Sequence, residues 1–292
     1  MKYLVIPLLL SVLYGCHGYA QTLQLANSFY NGKYKVYQTK YAGTNYKIYD
    51  FTRSNPQIKV KYFAQDAYAQ YTKWAKSHRV ILACSGAFSD SFEKYGKPVG
   101  LTIDYGKVVN RYLNKEMDGL VIVYNEGHEV GKFFTLDIER EALIIGNDYG
   151  SQKTYNISNS ADRYRFISYA QAEQMTVFQT QLMYANGQKR FPTDKLYYGK
   201  SASRRFLVKA KRYGVSKELI VDISKDEVYL NNAANRLIEL LEYNNYQIDF
   251  ILNLDTGGKD ILYSYNENGS LLNATQYPIY KATNLLVYYY AY

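Results

Sequence analysis

Apolar and polar residues alternate along the first part of the chain, most plainly in Tyr34-Lys35-Val36-Tyr37 and Tyr46-Lys47-Ile48-Tyr49. A period of two is what a strand with one buried face requires. The signal recurs in short segments set apart by turn residues. Residues 100–104 and 107–111 flank Tyr105-Gly106, and residues 119–124 run into Asn125-Glu126-Gly127. Glycine in each turn permits positive φ, so the segments should pair antiparallel. Further strands are expected over 58–63, 80–83, 133–136, 182–184, 206–210 and 219–223. Helical spacing predicts helices over 67–77, over 170–178 and, most strongly, over 232–243, where Ala233, Leu237, Leu240 and Leu241 share a face. There is no regular β-α-β alternation, linker, low-complexity tract or repeat. The expected fold is α+β: a single domain with a mixed, mostly antiparallel sheet packed with a few helices. Residues 21–79 make a β-rich N-terminal segment that should form one compact unit with residues 80–292.

Tyrosine is the compositional anomaly, with 35 copies against 12 phenylalanines and one tryptophan. It favours half-exposed strands, and its ring and hydroxyl suit sugar binding. Abundant Lys and Asn beside it point to the plainer source, an AT-rich genome. Trp74 reads as a core anchor. The formal charge of +9 favours an anionic partner. The cations are scattered, however, with short clusters only at 200–205 and 209–212, so nucleic acid is not expected.

Residues 1–20 have the layout of an export signal, with Lys2, an apolar stretch over 3–13, and Gly18-Tyr19-Ala20 before Gln21. Leu13-Tyr14-Gly15-Cys16 overlaps this layout and resembles a lipoprotein box, which makes Cys16 the site of any lipid tether to a membrane. The expected location is outside the cytoplasm: periplasmic, secreted or anchored to the envelope. Cleavage after Ala20 leaves Cys84 as the one cysteine, so no intramolecular disulfide is available. Cys84 sits at a strand end and reads as a buried, inert thiol. His17, His78 and His128 are too dispersed for a structural zinc site.

Chemistry concentrates where the last predicted helix leads through Asn244-Asn245-Tyr246 into an apolar strand over 248–254 and then into Asp255-Thr256-Gly257-Gly258-Lys259-Asp260. A strand end fixes the acid, and adjacent glycines let backbone N–H groups approach a ligand oxyanion. The plainer alternative is a turn capped by Asp255.

Leu252-Asn253-Leu254-Asp255-Thr256-Gly257-Gly258-Lys259 resembles the LNLDGGGS element of the phosphodiester glycosidase family. Upstream, Ala83-Cys84-Ser85-Gly86-Ala87-Phe88 is similar to that family's INAGFF-like turn, and Pro98-Val99-Gly100-Leu101 follows at the right distance. Leu182-Met183-Tyr184-Ala185-Asn186-Gly187 and Arg205-Phe206-Leu207-Val208 match two more elements in the family's order. The resemblance spans about residues 80–265. It implies hydrolysis of a sugar joined through its anomeric carbon to phosphate, the substrate being a phosphate-containing glycan or a small sugar phosphodiester. The residues carried over are Asp255 as nucleophile, base or electrostatic stabiliser and Arg205 as a bidentate phosphate clamp, with Gly257, Gly258, Lys259, Asp260, Arg204, Ser85 and Gly86 around the substrate. No cofactor is expected, and a calcium site would draw on Asp249, Asp255 and Asp260. Three positions depart from the family pattern: Thr256 replaces a glycine, Lys259 a serine and Cys84 an asparagine. They leave open a second expectation, a catalytically silent member that binds surface or dietary glycan.

Overall fold

The computed structural model describes residues 22–53, 57–90, 96–125, 130–146, 152–191, 199–257 and 260–291, except the side chains of residues 224 and 225. The export signal, Cys16, His128, Gly258 and Lys259 lie outside the described residues.

The chain opens with strands β1 (Gln24–Phe29), β2 (Tyr34–Tyr41), β3 (Thr44–Thr52) and β4 (Ile58–Phe63), then helix α1 (Ala67–Ala75). There follow β5 (Arg79–Cys84), β6 (Thr102–Asp104), β7 (Lys107–Asn110), β8 (Gly119–Val123), β9 (Phe133–Asp137), β10 (Leu143–Gly146) and β11 (Gln152–Tyr155). Helix α2 (Ser160–Ala172) precedes β12 (Thr176–Ala185), β13 (Gln188–Lys189), β14 (Ala202–Arg212) and β15 (Val215–Val228). Helix α3 (Leu230–Tyr243) leads into β16 (Tyr246–Leu254), β17 (Leu262–Tyr265), β18 (Leu271–Ala274) and β19 (Leu285–Tyr290).

The strands make a twelve-stranded sheet whose main path is β1-β2-β3-β15-β14-β16-β12-β6-β7, a five-stranded sheet ordered β18-β17-β5-β19-β4, and the hairpin β10-β11. Each described pairing is antiparallel. The two large sheets face each other across a core that includes Phe51, Tyr62, Cys84, Phe178, Leu252 and Tyr288. On the outer face of the larger sheet α3 buries Ala233, Leu237, Leu240 and Leu241, and α1 covers the smaller sheet through Ala67 and Tyr71. The α+β, mostly antiparallel architecture is the one the alternation implies.

Several tyrosines are core residues, contrary to the half-exposed role their type suggests. Tyr34, Tyr49, Tyr62 and Tyr288 are fully buried, and burial pushes the hydroxyls of Tyr34, Tyr62 and Tyr288 well above their ordinary range. Trp74 packs against Phe63, His78 and Tyr289, as an anchor should.

One predicted element is misplaced. The helix expected over 170–178 lies earlier, capped by Asn159, whose side chain accepts from the N–H groups of Ala161 and Asp162. It ends at Ala172, Gln174 turns left-handed at φ 49°, and Thr176-Val177-Phe178 begins a strand. β-Branched and aromatic residues favour that strand. Most of its side chains are buried on both faces, so alternation is hidden.

Candidate functional site

The Asp255 segment leaves the end of β16 in the gap between the two sheets. The Asp255 backbone N–H donates to the Gly86 carbonyl at 3.0 Å, joining the two motif turns directly. Gly86 is itself held: its N–H donates to Asn284 Oδ1 at 2.9 Å, and Asn284 Nδ2 donates to the Ala87 carbonyl at 2.8 Å. A Cβ on Gly86 would lie 2.8 Å from the Tyr62 ring, so the close approach requires glycine here.

Asp255 is buried, and its Oδ1 accepts from the Gly257 N–H at 2.9 Å. The Gly257 N–H is thus engaged by its own chain. Thr256 Oγ1 donates to the Ser203 carbonyl at 2.6 Å, and Thr256 does not take positive φ. Thr256, which stands where the resembled element has a glycine, needs no left-handed backbone here.

Arg205 departs from its expected role as a phosphate clamp. It is 0% exposed and faces the inter-sheet core. Its Nε and Nη2 donate to Asp222 Oδ1 at 3.1 and 2.7 Å, Nη2 also to Asp260 Oδ1 at 2.7 Å, and Nη1 to the Ile261 carbonyl at 2.9 Å. Burial alone would lower its pKa, but Asp222 and Asp260 hold it above the ordinary value. The fork that was to grip a phosphate is filled by two carboxylates and a carbonyl. Asp260 is therefore a partner of Arg205. Ser85 is a clip: its N–H donates to the Ile261 carbonyl at 3.0 Å, and its Oγ accepts from the Ile261 N–H at 3.3 Å.

Adjacent strand residues point to opposite faces, so Arg204 emerges on the other side of β14. There it lines an open cleft of about 580 Å³ with Asn253, Gln181, Asp118, Glu139 and Phe88. Its Nε donates to the Val228 carbonyl at 3.2 Å and its Nη2 to the Lys200 carbonyl, and burial lowers its pKa. Asp118 is pushed above the usual carboxylate range by burial and then by Glu139. Sequence reasoning missed Asp118, Glu139, Gln181 and Asn253. The usable signal was the polar run Gln179-Thr180-Gln181 inside an otherwise apolar strand.

The calcium expectation does not hold geometrically. Asp249 and Asp255 are six residues apart along β16 and its exit, about 20 Å at a strand's rise. Among the described residues no group of three His, Cys, Asp or Glu is arranged to hold a metal ion. Cys84 is fully buried and its thiol is pushed up to about 12 by burial, outweighing the opposite pull of Arg205. The thiol therefore stays protonated at neutral pH and is a poor nucleophile. Ellman's reagent should leave the native protein unlabelled and titrate one thiol per mature chain in denaturant; rapid native labelling would contradict this burial.

No protein-family model and no curated protein matches the chain. Solved structures do. A hypothetical protein from Synechocystis aligns with a TM-score of 0.51 over 92% of this chain and 64% of its own, at 11% identity. The chain thus spans less than two-thirds of that protein's length. A candidate exported protein from Burkholderia pseudomallei aligns with a TM-score of 0.46 over 87% of this chain and 74% of its own, at 7% identity. At 11% identity the Synechocystis match speaks to fold alone and leaves activity to the site. No helix among the described residues is long and apolar enough to cross a membrane.

Proposed function

We propose that the chain is an exported hydrolase that cleaves the bond between a sugar's anomeric carbon and phosphate in a phosphodiester-linked glycan. The observation that carries this reading is the meeting of motif elements far apart in sequence. Leu182 pairs with Leu252, Arg205 with Leu254, and the Asp255 N–H reaches the Gly86 carbonyl. Phosphate is a good leaving group, so the reaction needs a cation at the phosphate and a carboxylate near the developing oxocarbenium more than a strong general acid. Asp255 supplies the carboxylate. The cationic role passes from Arg205, whose donors are committed, to Arg204, which lines the open cleft. Arg205 instead holds Asp260 and the Ile261 carbonyl against β14. Export rests on the layout of residues 1–20, and the mature N-terminus decides between cleavage before Gln21 and a lipidated Cys16.

The test is release of free sugar from an N-acetylglucosamine phosphodiester. Asp255→Ala should lower kcat/KM about 100-fold or more and Arg204→Gln about tenfold. Equal rates for wild type and Asp255→Ala would sink the hydrolase reading. The Asp255–Gly257 contact and the filled Arg205 fork favour a second reading, a silent member that binds glycan. Glycan-array binding that survives Asp255→Ala in a chain without hydrolysis would select it.

A further inference from the structure

The cleft beside the Asp255 turn contains a polar atom that the fold leaves unmatched. Asn253 is 2% exposed and stands among Ile251, Leu252 and Leu254. Its Nδ2 donates to Gln181 Oε1 at 3.1 Å, but its buried Oδ1 accepts no hydrogen bond from any described residue. Leaving a buried acceptor unpaired is unfavourable, and Asn253 lines the cleft, so the missing donor has a place to come from.

The neighbours define which donor fits. Asp118 and Glu139 add carboxylate acceptors, and Glu139 is fixed by Arg190, whose Nη2 lies 3.0 Å from Glu139 Oε2 while its Nε lies 3.0 Å from Asp137 Oδ2. Phe88 adds a half-buried aromatic ring. Amide and carboxylate acceptors beside an aromatic wall suit a ligand rich in hydroxyl donors with an apolar ring face. Arg204 adds positive charge, with the two carbonyls it contacts using two of its five donors. The volume falls within the roughly 300–1,000 Å³ of small-molecule sites.

We infer that this cleft is a saccharide subsite that holds a sugar ring against Phe88, takes its hydroxyl hydrogens on Asn253 Oδ1 and Asp118, and places an anionic substituent at Arg204. The anionic part rests on the phosphodiester reading; the sugar part stands without it.

Isothermal titration calorimetry with N-acetylglucosamine 1-phosphate and with N-acetylglucosamine tests this on the mature chain. Wild type should bind the phosphate more tightly. Asn253→Leu and Asp118→Asn should each weaken both probes about tenfold, and Arg204→Gln should weaken the phosphate alone. If Asn253→Leu fails to give a cooperative melt, Asp118→Asn and Arg204→Gln carry the test. Absence of millimolar binding by wild type, or unchanged affinity in the folded variants, overturns the subsite. Sugar-phosphate binding without release of sugar from a phosphodiester would end the hydrolase reading and keep the subsite. Hydrolysis with KM unchanged in the Asn253 and Asp118 variants would do the reverse.

Discussion

Arg205→Leu should lower the unfolding free energy by about 3–5 kcal/mol, read as a shifted midpoint in urea denaturation. The guanidinium has no exposure, and its loss strands Asp222 and Asp260 without their cation. It also removes the Nη1 donor to the Ile261 carbonyl, which helps tie the loop after β16 to β14. Arg205→Lys should recover little, because one ammonium cannot reproduce a planar fork directed at three acceptors. A leucine variant with wild-type stability would show that the network contributes nothing net. The result bears on function: lost activity in an Arg205 variant reports a lost loop, so Arg204 is the position at which to ask about phosphate.

Phe51→Ala should cost a comparable 3–5 kcal/mol. Phe51 lies between Tyr34, at 5.1 Å and 6° between ring planes, and Tyr288, at 4.0 Å and 4°. Tyr34 and Phe51 belong to the larger sheet and Tyr288 to the smaller one, so this ring stack is a physical bridge between them. The three rings are fully buried, and alanine leaves a void that rigid neighbours cannot close. Phe51→Leu should cost less than half as much. Thermal unfolding followed by far-UV circular dichroism would measure both, and near-native stability in the alanine variant would mean that the sheets repack.

What could be read from the sequence follows from what each signal depends on. Alternation in β2 and β3, the Tyr105-Gly106 turn and the apolar face of α3 are local consequences of the chain, and each forms where its residues place it. The first half of β12 was hidden because a strand covered on both faces loses its period, whereas its end over 182–184 was read as a strand. At the site, the motif turns were legible as spacing. The division of labour between Arg204 and Arg205 was not, since which face of β14 meets the core depends on the packing of a second sheet. The cleft residues Asp118, Glu139, Gln181 and Asn253 come from different strands or their flanking loops and share no spacing, so only the assembled sheet gathers them.

β3 is flanked by β2, its hairpin partner, and by β15, where Asp50 pairs with Leu219, roughly 170 residues later. Loop closure over such a distance is slow compared with forming a hairpin. The tyrosine-rich N-terminal hairpin should therefore form first, leaving the second edge of β3 unpaired until β15 arrives. That interval is when an open strand edge invites association with another chain. Refolding should therefore be most open to association at its beginning, and dilution or a holding chaperone should raise its yield more than any change near Asp255.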